Sequence, residues 1–267
     1  ESVVGEDAIR VMREYAASGK YQMIWSTEGA GVDYIQTMYK EFPEIIVVHP
    51  GSGGTGLGGN DAWVYNLVYE AAYLNGYTAG LMTETDIVGF IGSFPGGEAN
   101  TEGNAFIAGA KDANPDVAVK VSFINSWWDP VLAKEAAIAQ IAAGCDLIFP
   151  KVYGAFEALE EEGLYGFGGY VDQSDLAPNV VLASTLLRWD ANLQYTIDEF
   201  WNVAKEGRPY DFSTEPYYAL MKDGGCGIAY NEDLMPPDVL EEVKARHEEI
   251  LSGDFVVPLV WEEPTSD

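Results

Sequence analysis

A chain of 267 residues with 48% hydrophobic and 13% aromatic side chains is long enough for one large domain or two small lobes, and its composition excludes a disordered chain. Its 43 acidic against 14 basic residues give a formal charge of -29, which excludes a nucleic-acid partner, since that affinity comes from Lys and Arg displacing counterions. Two cysteines, Cys145 and Cys226, exclude a disulfide framework and lack metal-ligand spacing, leaving buried thiols or a single bridge between them.

From Glu6, residues Ala8, Ile9, Val11, Met12 and Tyr15 fall at helical spacing, and Gly19 and Lys20 close that helix. A strand YQMIW follows, then a helix VDYIQTMYKEFP stopped by Pro43, a strand EIIVVHP, and a long helix that starts near Trp63 and runs through YNLVYEAAYLNGYTAGLMT. The plan then repeats: strand DIVGFIGS, helix GNAFIAGAKDAN, strand VAVKVSFI, helix DPVLAKEAAIAQIAAG, strand DLIFPKVY, a short helix in AFEALEEEG and strand YGFGGYVD. Beyond LAPNVVLASTLL comes the helix DANLQYTIDEFWNVAKEG. Alternating strands and helices imply an α/β fold with parallel sheets covered on both faces. Two similar lobes joined by several crossings are expected, the first from residues 1–91 and 186–212, the second from 92–185 and 213–267. Such a sheet normally opens on a strand, so a first strand and helix are expected to be missing from the amino side. No apolar run reaches the roughly 18 to 20 residues that span a bilayer. The opening residues also lack a charged segment followed by an apolar one, so an export signal is expected to have been removed or to lie outside this sequence.

GSGGTG at Gly51–Gly56 fits G-x-G-x-x-G after a strand, but Pro50 intervenes and no helix N-terminus follows closely, so a flexible loop is the expectation over a phosphate loop. SWWDP places Trp127 and Trp128 where a strand's carboxyl end meets a helix, the edge at which open α/β sheets bind ligands. One ring is expected to pack and the other, Trp127, to stack on a flat ligand. Asp129 before Pro130 reads as an N-cap. Asp172 is expected at a strand's carboxyl end, where its carboxylate either accepts bonds from hydroxyls or ring nitrogens or closes an Asx-turn. Trp25, Ser26, Thr27 and Glu28 repeat that arrangement in the first lobe. His49 and His247 sit in a strand end and a charged helix, and with no nucleophile elbow, Walker lysine loop or metal-spaced set, catalysis is not expected. Glu98 and Glu102 could be drawn up as an acid pair, but carboxylates are abundant enough here for chance proximity.

Taken together and in order, YEAAYLNGYTAGLMT, VGFIGSFP, NAFIAGAKDANPDVAVKV, SWWDP, AGCDLIF, GYVDQSDLAPNVVLAS and LMKDGGCGIAY resemble the basic membrane protein family of extracytoplasmic solute-binding proteins, often lipoproteins. The likeness runs from about Glu1 to Leu259. It implies a type I periplasmic-binding-protein fold, with two Rossmann-like lobes, three hinge crossings and a ligand trapped on closure. It also implies capture of a purine nucleoside or nucleobase for an ATP-binding-cassette importer permease, no cofactor, and an extracytoplasmic, lipid-anchored location. Carried over by position, Trp127 becomes the base-stacking residue, Asp172 a polar anchor and Tyr153 a pocket-edge residue. The chain departs from the family where nucleoside-binding members have S-V-V-K-R: here STLLRW has Leu187, flanked by Arg188 and Trp189. A sensory ectodomain, or the same receptor with a non-purine ligand such as a sugar or a flat-ringed vitamin, are the other readings.

Overall fold

The computed structural model describes residues 6–26, 38–52 and 55–267. In chain order its elements are α1 (Glu6–Ala17), β1 (Met23–Trp25), β2 (Ile46–Pro50), β3 (Asp61–Asn66), α2 (Tyr69–Met82), β4 (Ile87–Gly92), α3 (Gly97–Ala113), β5 (Ala118–Phe123) and α4 (Pro130–Ala142). There follow β6 (Leu147–Pro150), α5 (Phe156–Glu162), β7 (Tyr165–Gly168), β8 (Val181–Leu187), α6 (Asp190–Glu206), β9 (Tyr217–Ala219), β10 (Cys226–Tyr230) and α7 (Pro237–Ser252). Two units form, Glu1–Asn66 with Trp189–Ala219 and Leu67–Arg188 with Leu220–Asp267, so the chain passes between them after Asn66, Arg188 and Ala219.

The first unit is built on a four-stranded sheet in the order β1-β2-β3-β9, parallel throughout. Successive side chains along a strand face opposite ways. Ile24 and Val47 therefore join Met12 and Ala16 of α1 on one side, while Ile46, Val48, Ala62 and Val64 meet Phe212 and the α6 rings Tyr195 and Phe200 on the other.

The second unit holds a six-stranded sheet in the order β10-β8-β7-β6-β4-β5, parallel except where β10 runs against β8. One face is closed by α4 and α5 through Ala133, Ala137, Ala158 and Leu159. On the other, Phe90, Phe106, Phe149 and Phe167 are fully buried and meet at ring separations of 5.7–6.4 Å. Helix α2 is buried from Tyr69 to Gly80, including Glu70, Asn75 and Thr78, so it is enclosed on all sides. It approaches α3 closely because Gly76, Gly80 and Gly109 have no Cβ where the backbones meet.

Several expectations are corrected. DAWVYN is the strand β3 and not the start of a long helix; α2 begins only at Tyr69. Five of its six residues are buried, so the strand shows none of the alternation that separates a strand from a helix. Strands β6 and β7 stop at Pro150 and Gly168, which leaves Asp172 four residues past a strand end. Residues 67–91, expected in the first lobe, pack in the second, because α2 is the partner of α3. The cysteines agree with the first of the two alternatives: both are buried free thiols and no bridge joins them. Most of the helix expected before Pro43 lies outside the described residues, although 38–41 are helical.

Candidate functional site

In the second unit the carboxyl ends of β4, β5, β6 and β7 lie side by side, and the turns leaving them carry the residues of interest. Beyond β5 the chain turns at Asn125, in the left-handed region at φ 53°, and Ser126 Oγ accepts the Trp128 amide at 3.2 Å. Asp129 then opens α4 as expected: its carboxylate accepts the amides of Val131 at 3.1 Å and Leu132 at 3.0 Å, and Pro130 fills the first turn without wasting a donor.

That tight, capped turn pushes both tryptophans outward. Trp127 is 77% exposed and Trp128 67%, so neither ring is core, contrary to the expectation that one would pack inside. The pleat ends at Phe123, and alternation no longer governs residues four and five positions later. Each ring leans on another aromatic: Trp127 on Phe94 at 5.0 Å and Trp128 on Tyr153 at 5.0 Å. Tyr153, 45% exposed, follows β6, so the structure brings two of the expected site residues onto neighbouring turns.

A charged group is sunk into the same sheet edge. Lys151, the first residue after β6, reaches Glu102 of α3 at 2.6 Å with side-chain exposures of 3% and 0%. The Lys151 ammonium lies 3.5 Å over the Tyr170 ring, and the Tyr170 hydroxyl donates to Glu98, also buried. Burial pushes the Glu102 carboxyl well up, Lys151 pulls it down and Glu98 adds to the rise. Lys151 and Glu102 thus form a buried ion pair, with the Tyr170 ring on the ammonium and the Tyr170 hydroxyl on Glu98. Sequence reasoning raises Glu98 and Glu102 only as an acid pair of chance proximity and misses Lys151, Tyr170 and Phe94. The signal was a lysine directly after the all-apolar strand LIFP.

Asp172 is exposed and occupied locally: its Oδ1 accepts the Ser174 amide at 3.0 Å and the Ser174 hydroxyl at 2.7 Å, the Asx-turn alternative. Gln173 beside it is buried, accepting the Gly169 amide at 3.3 Å and donating its own amide to Ser184 Oγ at 3.1 Å.

In the first unit Trp25 ends β1, with its indole N–H on Met23 Sδ at 3.1 Å. Trp189, before α6, meets Trp25 edge-on at 5.8 Å and Tyr65 at 6.0 Å, so two expected residues share one aromatic cluster. Ser26 is buried and its amide donates to Val48 O at 3.1 Å. Thr27 and Glu28 lie outside the described residues, as do residues 53 and 54 of the glycine loop, after which comes strand β3 and no helix. His49 is buried and stacked on Trp63 at 4.4 Å, and His247 Nδ1 lies 3.2 Å from the Tyr230 hydroxyl. Among the described residues no three His, Cys, Asp or Glu side chains converge as metal ligands, and no helix is long and apolar enough to cross a membrane.

Residues 1–258 match the Bmp family, described as ABC transporter substrate-binding protein PnrA-like. A purine-binding protein of Brucella abortus is 30% identical over 254 residues, 94% of this chain and 69% of that protein. TsgA13 of Haloferax volcanii, named as a glucose-binding protein of an ABC transporter, is 26% identical over 259 residues. That alignment takes in 96% of this chain and 64% of the relative, so the chain spans under two thirds of its length. Among solved structures, a transcriptional activator of the comK gene from Bacillus halodurans superposes with a TM-score of 0.77 at 25% identity, covering 94% of this chain and 85% of that one. An ABC transporter solute-binding protein from Conexibacter woesei gives 0.72 at 18% identity, with 96% and 85% covered, and shows the type I periplasmic-binding fold.

Proposed function

Because the chain belongs to the PnrA-like family of ABC transporter substrate-binding proteins, we propose that it captures a purine nucleoside or nucleobase and delivers it to an importer permease. The family and the solute-binding structural neighbours are binding proteins and not enzymes. The observation that carries the ligand reading is Trp127, 77% exposed at the β5 turn with Phe94 behind it. A ring this exposed is costly to leave in water and well suited to stacking on a planar base, worth about 1–3 kcal/mol. The purine-binding relative supports the same ligand class. Within the first unit Trp25 and Trp189 are proposed as ligand-contacting rings, and within the second Tyr153 as an edge residue, with Asp172 contributing through its turn. An extracytoplasmic, lipid-anchored location follows from the same reading.

Calorimetry with adenosine, guanosine, adenine and glucose tests this. Saturable purine binding that weakens in Trp127→Ala upholds the reading, whereas glucose binding without any purine binding replaces it with a sugar receptor, the alternative that the relation to TsgA13 favours.

A further inference from the structure

After α7 the chain crosses the second unit as an extended strap. Asn100 and Asn104 on α3 hold it, their side-chain amides donating to Trp261 O at 2.9 Å and Glu262 O at 2.8 Å. Pro264 is buried against Gly103, where a Cβ would come within 2.8 Å of the proline ring. The strap then reaches β5, the terminal strand of its sheet.

Along a parallel strand the backbone groups of alternate residues point to opposite sides. The amides of Ala118 and Ile124 donate toward β4, to Asp86 O and Gly92 O. Val119 and Val121 therefore face outward, and the strap takes their groups. Val119 donates to Asp267 Oδ2 at 3.1 Å and accepts the Asp267 amide at 3.1 Å. Val121 donates to Ser266 Oγ at 2.8 Å and accepts that hydroxyl at 3.3 Å. Lys111 and Lys120 pin Asp267 in place at 2.8 and 3.0 Å. Three of these four bonds use side chains of the strap, so the edge is satisfied without a fresh backbone ladder being laid beside it.

Left open, such an edge is a template for another chain. We propose that residues 260–267 are an intramolecular edge cap, which keeps β5 from pairing with β5 of a second copy of this protein. The family match covers residues 1–258, and the strap lies beyond it. Asn100 links it to the candidate site, because its Oδ1 also accepts the Gly96 amide, in the β4–α3 turn, at 2.8 Å.

The test compares the whole chain with Ser266→Ala/Asp267→Ala and, as a milder second variant, with Asn104→Ala. Amide exchange by NMR and mass by light scattering are the readouts. In the double variant, Val119 and Val121 exchange about tenfold faster or more while Ala118 and Ile124 do not change, and a species of doubled mass forms at high concentration. Asn104→Ala shifts both in the same direction by less. Unchanged exchange at Val119 and Val121, an equal rise at Ala118 and Ile124, or no doubled mass in either variant overturns the proposal.

Discussion

Gly109 of α3 and Tyr73 of α2 meet so closely that a Cβ on the glycine would lie 2.0 Å from the Tyr73 carbonyl oxygen. Gly76 faces α3 in the same way, 2.0 Å from Phe106 O. The obstacle is backbone on both sides, so no rotamer change relieves it. Gly109→Ala and Gly76→Ala are each expected to destabilise the second unit by about 3 kcal/mol, at the upper end of overpacking costs, despite alanine's better helix propensity. Urea unfolding followed by fluorescence measures this; a gain in stability from either variant contradicts the packing described.

Lys151→Met leaves Glu102 buried with no counter-charge. The expected loss is about 3–5 kcal/mol, and adding Glu102→Leu should restore most of it, because an apolar pair of similar volume does not need desolvated charges to be matched. A double-mutant cycle on denaturant midpoints gives the coupling. Additive losses would mean that the 2.6 Å contact contributes nothing.

Trp127→Ala and Trp128→Ala should separate stability from binding. Both rings are largely exposed, so melting temperatures are expected to change little. On the proposed reading, purine affinity falls about tenfold to a hundredfold in Trp127→Ala. The effect of Trp128→Ala is expected to be smaller, since its ring rests on Tyr153. Calorimetry on both variants decides which ring meets the ligand.

Asp61 opens β3 with no exposed surface, and burial raises its carboxyl from 3.8 to about 6 although it accepts the Leu57 amide at 2.7 Å. A folded-state value above the unfolded one favours the protonated form. This group's contribution to stability is thus complete below about pH 4 and lost as pH rises past about 6. His49 acts oppositely: burial lowers its value from 6.5, so its contribution is present above that pH and lost as pH falls. Asp61→Asn keeps an acceptor for Leu57 and should flatten the decline between pH 4 and 7. Melting curves across that range check it; an unaltered pH profile would show that Asp61 titrates normally.

How much of this was readable in advance can be traced residue by residue. The Asp129-Pro130 cap and most of the alternating strands and helices were legible, because capping and periodicity are local. Strand β3 was not, since Val64 and its neighbours are enclosed on both faces and leave no alternation to read. Lys151 and Glu102 are 49 positions apart, and only the topology that sets β6 beside β4 brings them together. At Asp172 the residue type fits a ligand contact and a turn alike, and its bonds to Ser174 are those of the turn. The outward pose of both Trp127 and Trp128 depends on where β5 stops, the least predictable property of an element.

The enclosure of α2 bears on how the chain is made. Its neighbours α3, β8, β10 and α7 all come later in the sequence. A helix that ends up enclosed on every side therefore leaves the ribosome before these covering elements exist. At roughly 5–20 residues per second, its wait for α7 lasts on the order of ten seconds or more. During that interval the apolar side chains of α2, Tyr73 and Leu74 among them, stay uncovered in the nascent chain.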